Sequence, residues 1–374
     1  MPQLERPTGP VALRGYRDRD RILDVQGWRR FVNRPVPPRP VMPNRETWRG
    51  WSEAQRQEFN RARHLYHANF PPIATPDLQD FHNQMLLQLW KNIDGDDGTP
   101  PGGLLDGPRT LGKTTILKWL ARRFELEFTE RYPAEDPAQQ HLVIPVAYLG
   151  MSAGATPKDL SLGLARFFNF PLPTNTKGIT RGDITAAVLE AIALHQTQLL
   201  CVDDAHFINM YTDAGRLAND HLKEITEKSR CTLIFTGIDC EGSGLLAEGR
   251  GPDGARKSQL GGRLIYKAIT PMTRDGAAWT GVLADLERTL VLAGLHPGTL
   301  TDGLSDYLYD RTKGYIGPLM NLARKATRVS VDTGLETLTE PLLAGIRLDR
   351  ASEIPDQPEP AKKPRKSRTS GRTR

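Results

Sequence analysis

A glycine-rich turn before a predicted helix limits most strongly what this chain can fold into. Gly107, Gly112, Lys113 and Thr114 have the spacing G-x-x-x-x-G-K-T, with an apolar run before the first glycine and a helical pattern after the last. In this spacing the glycines let successive backbone N–H groups point inward, and the N-terminus of the following helix adds partial positive charge. The motif predicts a strand, a phosphate-binding loop and a helix. The alternative is a glycine-rich turn that matches by chance.

The loop predicts a nucleotide site with ATP and Mg²⁺ as cofactors. Lys113 is expected to bridge the β- and γ-phosphates, and the Thr114 hydroxyl is expected to ligate Mg²⁺. The predicted nucleotide-binding residues are Gly107, Pro108, Arg109, Thr110, Leu111, Gly112, Lys113, Thr114 and Thr115.

A second apolar run, TQLLCVDDAHFI, ends in two carboxylates and is typical of a Walker B strand. Asp203 is predicted to hold Mg²⁺ through water, and Asp204 to orient or deprotonate the attacking water. Two aspartates after a strand can also cap a helix or occupy a surface turn. The phosphate-binding loop favours the catalytic interpretation.

A third apolar run ends in Thr236, which is the candidate sensor of the γ-phosphate; the alternative is an ordinary threonine at a strand end. The Gly-rich loop after this strand carries four cations, Arg250, Arg256, Lys257 and Arg263. One of them is predicted to be an arginine finger that reaches the nucleotide of a neighbouring subunit. The alternative for each is a solvated basic loop.

Apolar runs alternate with helical patterns, as a parallel sheet with crossover helices requires. The predicted strands are 103–106, 142–149, 198–202, 232–236 and 264–269, and the predicted helices between them are 113–127, 157–168, 183–195 and 212–228. Two helices are predicted before this unit, with Thr75 as an N-cap, and only helices are predicted after residue 275. The fold class is therefore α/β, a three-layer αβα sandwich around a parallel five-stranded sheet, plus a small C-terminal helical lid.

The positive charge of the chain lies at its two ends. Residues 1–50 contain eleven Arg and eight Pro, and residues 361–374 contain seven Lys or Arg and no acid. Basic ends either bind nucleic-acid phosphates or keep a protein in solution. The predicted segments are a Pro/Arg-rich arm without a packed core (1–50), a helical segment (51–98), the nucleotide-binding domain (99–272), the lid (273–350) and a disordered basic tail (351–374).

Neither a membrane-spanning run nor a signal-peptide pattern is found, so no membrane partner is expected. The three Cys residues are too few for a disulfide framework. Both features favour a cytoplasmic location.

The order of these motifs is that of an AAA+ ATPase, and their details resemble the TniB/TnsC family of DNA transposition regulators. LLDGPRTLGKTT, LLCVDDAHFI and TLIFTGI look like that family's phosphate loop, Walker B strand and sensor strand, with His206 after the acids. SQLGGRLIYKAITPMT is similar to a Gln-x-x-x-Arg segment of the family, which makes Arg263 the best-matched finger. The segment around Gly-Tyr-Ile-Gly, residues 314–317, looks like its lid.

The resemblance implies a switch that assembles with ATP, as a ring or helical homo-oligomer, on double-stranded DNA and recruits a transposase, with a TniQ-like adaptor as a further partner. Hydrolysis would release the assembly. Non-specific phosphate contacts are expected from Lys158, Lys177 and Arg181. Asp204 replaces the usual Glu of the family, which implies slow hydrolysis. The alternatives are another AAA+ initiator or helicase loader, and a nucleotide-switched signalling scaffold.

Overall fold

A computed structural model describes residues 22–95, 100–152, 154–171, 178, 180–208, 211–243 and 264–348. The chain divides into two compact units. The first contains the described residues up to Val41 together with Gln57–Pro271, and the second contains Met42–Arg56 and the described residues from Met272 onward. The predicted basic tail lies outside the described residues, and so does the predicted finger loop with Arg250, Arg256, Lys257 and Arg263.

The first unit is built on a parallel sheet of five strands. These are β1 (Gly102–Asp106), β2 (Val146–Gly150), β3 (Leu199–Asp203), β4 (Thr232–Gly237) and β5 (Leu264–Ala268). They lie in the order β2-β3-β4-β1-β5, and every neighbouring pair is parallel. Strands β1, β3 and β4 are buried along their whole length, as expected where both faces of a parallel sheet are covered. The predicted five-stranded parallel sheet is confirmed.

Helices precede and connect the strands. In the first unit they are α1 (Val25–Val32), most of α3 (Glu53–Asn69), α4 (Pro76–Asp94), α5 (Lys113–Arg131), α6 (Pro157–Phe167), α7 (Arg181–Leu194) and α8 (Asp213–Ser229). Thr75 caps α4 as predicted, because its side chain accepts a hydrogen bond from the N–H of Leu78. Thr156 and Thr180 form capping boxes that begin α6 and α7.

No helix in the described part of the chain combines the length and the apolar character needed to cross a bilayer.

Strand β2 begins later than predicted. The sequence pattern predicts a strand from residue 142, but Pro137–Leu142 forms a 3-10 turn and β2 starts at Val146. Pro145 has no N–H to give to a ladder, so the strand begins directly after it. The Pro145 carbonyl still accepts hydrogen bonds from the N–H groups of Gln198 and Leu199.

All regular secondary structure in the described residues of the second unit is helical. It contains α2 (Arg45–Gly50), α9 (Ala277–Thr289), α10 (Ser305–Thr312), α11 (Ile316–Thr333) and α12 (Glu340–Ala344). Trp279 is fully buried and packs edge-on against the Tyr309 ring, with 5.4 Å between the ring centroids. In the turn before α11, Gly314 has φ +77°, and a Cβ there would lie 2.0 Å from the carbonyl oxygen of Met272. Only glycine fits this turn.

Helix α1 corrects the expectation that residues 1–50 build no packed structure. Asp24 caps the helix by accepting a hydrogen bond from the N–H of Gly27. Val25, Trp28 and Val32 share one face and are buried, and Trp28 has no exposed surface. This spacing of apolar residues is that of an amphipathic helix. The surrounding Pro and Arg residues obscure it when hydrophobic periodicity is read over a window of about 11 to 18 residues.

A buried carboxyl on α5 accepts the indole N–H of Trp28. This carboxyl belongs to Glu125, and burial raises its pKa to about 7 from an ordinary value of 4.5, although Trp28 and Arg29 act in the opposite direction. The folded chain therefore binds a proton at Glu125 between about pH 4.5 and pH 7 that the unfolded chain does not bind. Stabilisation from this proton is complete below that interval and is lost as the pH rises through it.

Replacing Glu125 by Gln should stabilise the protein at alkaline pH. Gln stays neutral and can still accept the Trp28 N–H bond, so the variant should exceed the wild type in unfolding free energy by about 3 kcal/mol at pH 8, since one pKa unit is worth about 1.4 kcal/mol. The difference should vanish near pH 4.5. Urea unfolding at both pH values measures it, and the exposed Glu130→Gln serves as control. An equal difference at both pH values would contradict the assignment.

A buried serine and a buried histidine connect helices α6 and α8, and a partly exposed glutamate of α8 lies beside the histidine. Ser161 Oγ lies 2.7 Å from His221 Nε2, and His221 Nδ1 lies 3.4 Å from Glu224 Oε2. The Ser161 hydroxyl also lies 3.1 Å from that of Thr185 on α7. Ser161 has no exposed surface, so no substrate carbonyl can reach its oxygen. This arrangement holds three helices together by satisfying buried polar groups.

Candidate nucleotide site

The carboxyl ends of β1, β3 and β4 are neighbours in the sheet. Register pairs Asp106 on β1 with Gly237 on β4, and Val202 on β3 with Phe235 on β4. The residues that end these strands therefore lie at one edge, where open α/β sheets bind their ligands. The predicted phosphate loop, Walker B carboxylates and sensor threonine all follow or end these three strands.

Two glycines shape the loop between β1 and α5. Gly107 has φ +153°, and a Cβ there would lie 2.4 Å from the carbonyl oxygen of Ile269. Gly112 has φ +88° and precedes α5 without a side-chain cap. The first N–H groups of α5 are therefore left for a ligand, because a helix start without a cap has unpaired donors. Within the loop Arg109 and Thr110 are exposed and Leu111 is buried, while Thr115 is exposed in the first turn of α5.

Lys113 turns its ammonium group toward the loop. Its Nζ donates hydrogen bonds of 2.6 Å to the carbonyl oxygens of both Gly107 and Pro108. Lys113 is only 8% exposed, and desolvation lowers its pKa while the carboxylates of Asp106 and Asp203 oppose that shift. A buried cation at the start of a helix without a side-chain cap fits a bound anion such as a phosphate.

Asp203 is the most highly connected side chain of the site. Its Oδ1 accepts a hydrogen bond of 3.1 Å from the Thr114 hydroxyl, another of 3.1 Å from the N–H of Asp204, and one from the Thr236 hydroxyl. Its Oδ2 accepts a hydrogen bond of 2.6 Å from the hydroxyl of Tyr148 on β2. The structure thus brings together Thr114 and Asp203, the two predicted magnesium ligands. A hydroxyl and a carboxylate are oxygen donors of the kind that Mg²⁺ prefers.

Asp204 differs from Asp203 in exposure and backbone conformation. Its side chain is 53% exposed, and its backbone is left-handed with φ 60°. Its Oδ1 lies 3.9 Å from Nδ1 of His206, whose pKa is lowered mainly by burial although Asp204 favours the charged form. The left-handed turn separates the two carboxylates: Asp203 stays in the buried network, and Asp204 faces solvent where a water can reach it.

Thr236 is buried on β4, and its hydroxyl donates to Asp203. The predicted sensor threonine is therefore part of the same network as the predicted magnesium ligands. Arg263, the predicted finger, lies outside the described residues.

Two of the three predicted DNA contacts lie at the starts of helices. Lys158 and Arg181 are in the first turns of α6 and α7, after the capping Thr156 and Thr180, and Arg181 is exposed. Lys177 lies outside the described residues. A cation in the first turn interacts unfavourably with the helix dipole. The dipole therefore does not explain why Lys158 and Arg181 occupy these positions.

Sequence reasoning missed two polar residues of the site. Asp106 ends β1 and accepts hydrogen bonds from the N–H groups of Gly107 and Cys240, which joins the loop to the segment after β4. In the sequence, Tyr148 is only one residue of the apolar run that predicts strand 142–149. A signal for Asp106 exists, since it directly precedes the first glycine of the loop; for Tyr148 the sequence offers none.

Comparisons with known proteins agree with this architecture. Residues 97–241 match the profile of a family described as "AAA domain". Among curated proteins, no sequence matches the chain significantly.

Solved structures resemble the chain at low identity. The Aeropyrum pernix ORC1 protein in complex with DNA has a TM-score of 0.51 at 16% identity, covering 84% of this chain and 67% of that one. The Aeropyrum pernix ORC2 protein, in ADPNP–ADP complexes, has a TM-score of 0.49 at 14% identity, covering 72% and 68%. The Thermotoga maritima RuvB Holliday junction branch migration motor has a TM-score of 0.39 at 12% identity, covering 71% and 67%. The chain has the P-loop AAA+ fold that its motifs predict.

Proposed function

We propose that this chain is an ATP-dependent regulator of DNA transposition, which assembles on double-stranded DNA when it holds ATP and dissociates after hydrolysis. The observation that carries the proposal is the meeting of Lys113, Thr114 and Asp203 at one edge of the sheet. A cation, a hydroxyl and a carboxylate in this arrangement suit a nucleoside triphosphate with its metal.

The residues of this chain take separate parts in the proposed reaction. Lys113 and the N–H groups of the loop hold the β- and γ-phosphates, and Thr114 and Asp203 hold Mg²⁺. The metal supplies positive charge that neutralises the phosphate oxygens. Asp204 orients the attacking water and accepts its proton, because its exposed carboxylate lies next to the buried ligand network.

Two further residues complete the proposed site. Thr236 senses the γ-phosphate through the carboxylate that it shares with Thr114. Arg263 of a neighbouring protomer is the proposed finger, since a fixed cation stabilises charge that develops during phosphoryl transfer. An arginine supplied by a neighbour would make hydrolysis depend on assembly.

Sequence motifs support the transposition role. His206 follows the paired acids Asp203 and Asp204. The Gly-Tyr-Ile-Gly segment precedes and begins α11, and its first position, Gly314, accommodates only glycine. Both features resemble TniB/TnsC regulators. A transposase and a TniQ-like adaptor are the proposed protein partners.

A replication initiator or helicase loader is the second candidate. The likeness in fold to an ORC1 protein solved with DNA favours it. Both candidates predict binding to DNA, and they differ in the consequences of that binding: a transposition regulator should coat duplex of any sequence and stimulate a transposase. A nucleotide-switched scaffold, the third alternative, predicts no DNA binding that depends on ATP.

The deciding experiment is assembly on DNA with a slowly hydrolysed ATP analogue. Electron microscopy with duplex of random sequence should show rings or helical filaments with the analogue and none without nucleotide. Assemblies that form only on duplex with one particular sequence, and not on duplex of random sequence, would favour an initiator. Absence of DNA binding in both conditions would contradict the proposal and favour a scaffold.

The proposed DNA contacts should change the salt dependence of this assembly. Replacing Lys158 and Lys177 by Ala removes two phosphate contacts, and each contact contributes about 0.9 to the slope of log affinity against log salt. We expect a slope lower by about 2 and weaker DNA binding at about 0.15 M salt, the physiological ionic strength. Fluorescence anisotropy of labelled duplex measures both.

The matched control replaces Lys91 and Lys228, which lie near the C-terminal ends of α4 and α8. This variant loses the same charge and should leave the slope unchanged. Equal slopes for the two double variants would remove Lys158 and Lys177 from the DNA-binding surface.

A further inference from the structure

The magnesium-site carboxylate is connected to the N-terminal helix through two aromatic side chains. Tyr148 donates its hydroxyl to Oδ2 of Asp203, while the Thr114 hydroxyl and the Asp204 N–H donate to Oδ1. With both oxygens engaged from different sides, the carboxylate plane cannot turn without breaking a hydrogen bond. Tyr148 is 6% exposed, so water does not readily replace it.

Trp28 of α1 holds the ring of Tyr148. The two rings are stacked, with 6.0 Å between their centroids and 9° between their planes. The ammonium of Lys118 on α5 lies 5.3 Å from the centroid of the same Tyr148 ring. The Tyr148 ring is therefore held by contacts from α1 and from the helix that follows the phosphate loop.

Helix α1 is itself attached to the first unit by polar contacts. The Trp28 indole N–H donates to Glu125, and Arg122 Nε donates to the carbonyl oxygen of Val32 over 2.8 Å. Arg29 donates to the carbonyl oxygens of His141 and Val143 in the segment before β2. These contacts hold α1 against α5 and against the approach to β2.

We propose that Trp28 and Tyr148 are positioning residues for Asp203, so that the seating of α1 sets how well the site holds a nucleotide together with its metal. Trp28 fixes the Tyr148 ring, and the Tyr148 hydroxyl fixes the orientation of the Asp203 carboxylate. This inference rests on the proposed nucleotide function. It adds that residues outside the phosphate loop and the Walker B strand govern the metal-dependent part of binding.

A purely structural role makes a different prediction for the same residues. If Trp28 and Tyr148 only fill the core, their replacement lowers stability and changes nucleotide affinity equally with and without Mg²⁺. If they orient Asp203, the loss is confined to binding in Mg²⁺, because Asp203 acts on the nucleotide through the metal.

The experiment measures ADP affinity of the full chain by calorimetry, once in Mg²⁺ and once in EDTA. Tyr148→Phe removes only the hydroxyl, and we expect affinity in Mg²⁺ to fall about tenfold, which is the equivalent of about 1.4 kcal/mol for one lost hydrogen bond to a charged group. Affinity in EDTA should stay within about twofold, a margin well below one lost hydrogen bond. Equal losses in both media would overturn the proposal.

A double-variant cycle tests whether Trp28 acts through Tyr148. Trp28→Leu alone should lower affinity in Mg²⁺, and Trp28→Phe, which keeps an aromatic ring, should restore most of it. Trp28→Leu should add no further loss in the Tyr148→Phe background, since residues that act through one another are not additive. Additive losses would overturn the coupling.

Trp279→Leu is the matched control. Trp279 is also fully buried and also donates its indole N–H, to Ser305 in the second unit. Its replacement should leave the ratio of affinities in Mg²⁺ and EDTA unchanged. If Trp28→Leu does not fold, Trp28→Met, which also removes the stacked ring but fills more of its volume, takes its place in both backgrounds of the cycle.

The outcomes separate this inference from the proposed function. Wild-type chain that binds no ADP in either medium contradicts the nucleotide site itself. The wild-type chain should bind ADP more tightly in Mg²⁺ than in EDTA. If Tyr148→Phe leaves the ratio of these two affinities unchanged, only the positioning role is contradicted.

Discussion

Replacing Lys113 by Ala should lower the affinity for ATP at least about a hundredfold, the equivalent of about 2.7 kcal/mol. The reason is that the Lys113 ammonium is the buried cation of the loop, where it lies beside the Gly107 and Pro108 carbonyls with little exposure to water. Charge-assisted hydrogen bonds in such a desolvated position are strong. Titration with a fluorescent ATP analogue measures the loss, and assembly on DNA should disappear with it.

The control for Lys113→Ala is Lys228→Ala on the surface of α8. Lys228 pairs with Glu224, and its side chain is 58% exposed, so its removal should leave ATP affinity and DNA assembly unchanged. Thermal unfolding of the nucleotide-free variants checks that both fold. Unchanged ATP affinity in a folded Lys113→Ala variant would contradict the nucleotide site and all that depends on it.

Replacing Asp204 by Asn should reduce hydrolysis by about two to four orders of magnitude, which is the usual contribution of a general base. ATP affinity should change little, because the Asp204 side chain lies outside the hydrogen-bond network that surrounds Asp203. Release of phosphate measured in single turnover separates the two effects. The variant should persist in assemblies on DNA, since hydrolysis is the proposed release step.

Asp204→Glu is the companion variant. A glutamate extends the carboxylate by one methylene toward the water and should raise the hydrolysis rate above that of the wild type. An unchanged or lower rate would show that the Asp side chain already reaches the water. Loss of ATP affinity in the Asp204→Asn variant would instead show that Asp204 contributes to nucleotide binding and not only to proton transfer.

The sheet and the site edge could be predicted from the sequence because their signals are local. Apolar runs of five or six residues with glycines and carboxylates at their ends identify β1, β3 and β4 one by one. Once the strands are parallel, their ends must meet, so the closeness of Lys113, Thr114 and Asp203 follows from topology alone.

The remaining features depend on contacts between distant segments. Nothing near Tyr148 in the sequence indicates that its hydroxyl meets Asp203, since the two residues belong to strands that pair only in the folded sheet. Helix α1 is short and lies among prolines and arginines, so its stability comes from the packing of Trp28 rather than from helix propensity. Sequence patterns describe propensity and cannot show such packing.

The neighbouring positions of β1, β3 and β4 in the sheet would also link the lifetime of the protein to its proposed ligand. Because the residues that would grip the nucleotide come from three strands far apart in the chain, an unfolded polypeptide has no equivalent site. A ligand that binds only the native form adds RT ln(1 + [L]/Kd) to its stability, about 2.7 kcal/mol at a hundred times Kd. Cellular ATP supply would thereby protect the protein from proteolysis and couple its abundance to the energy state of the cell.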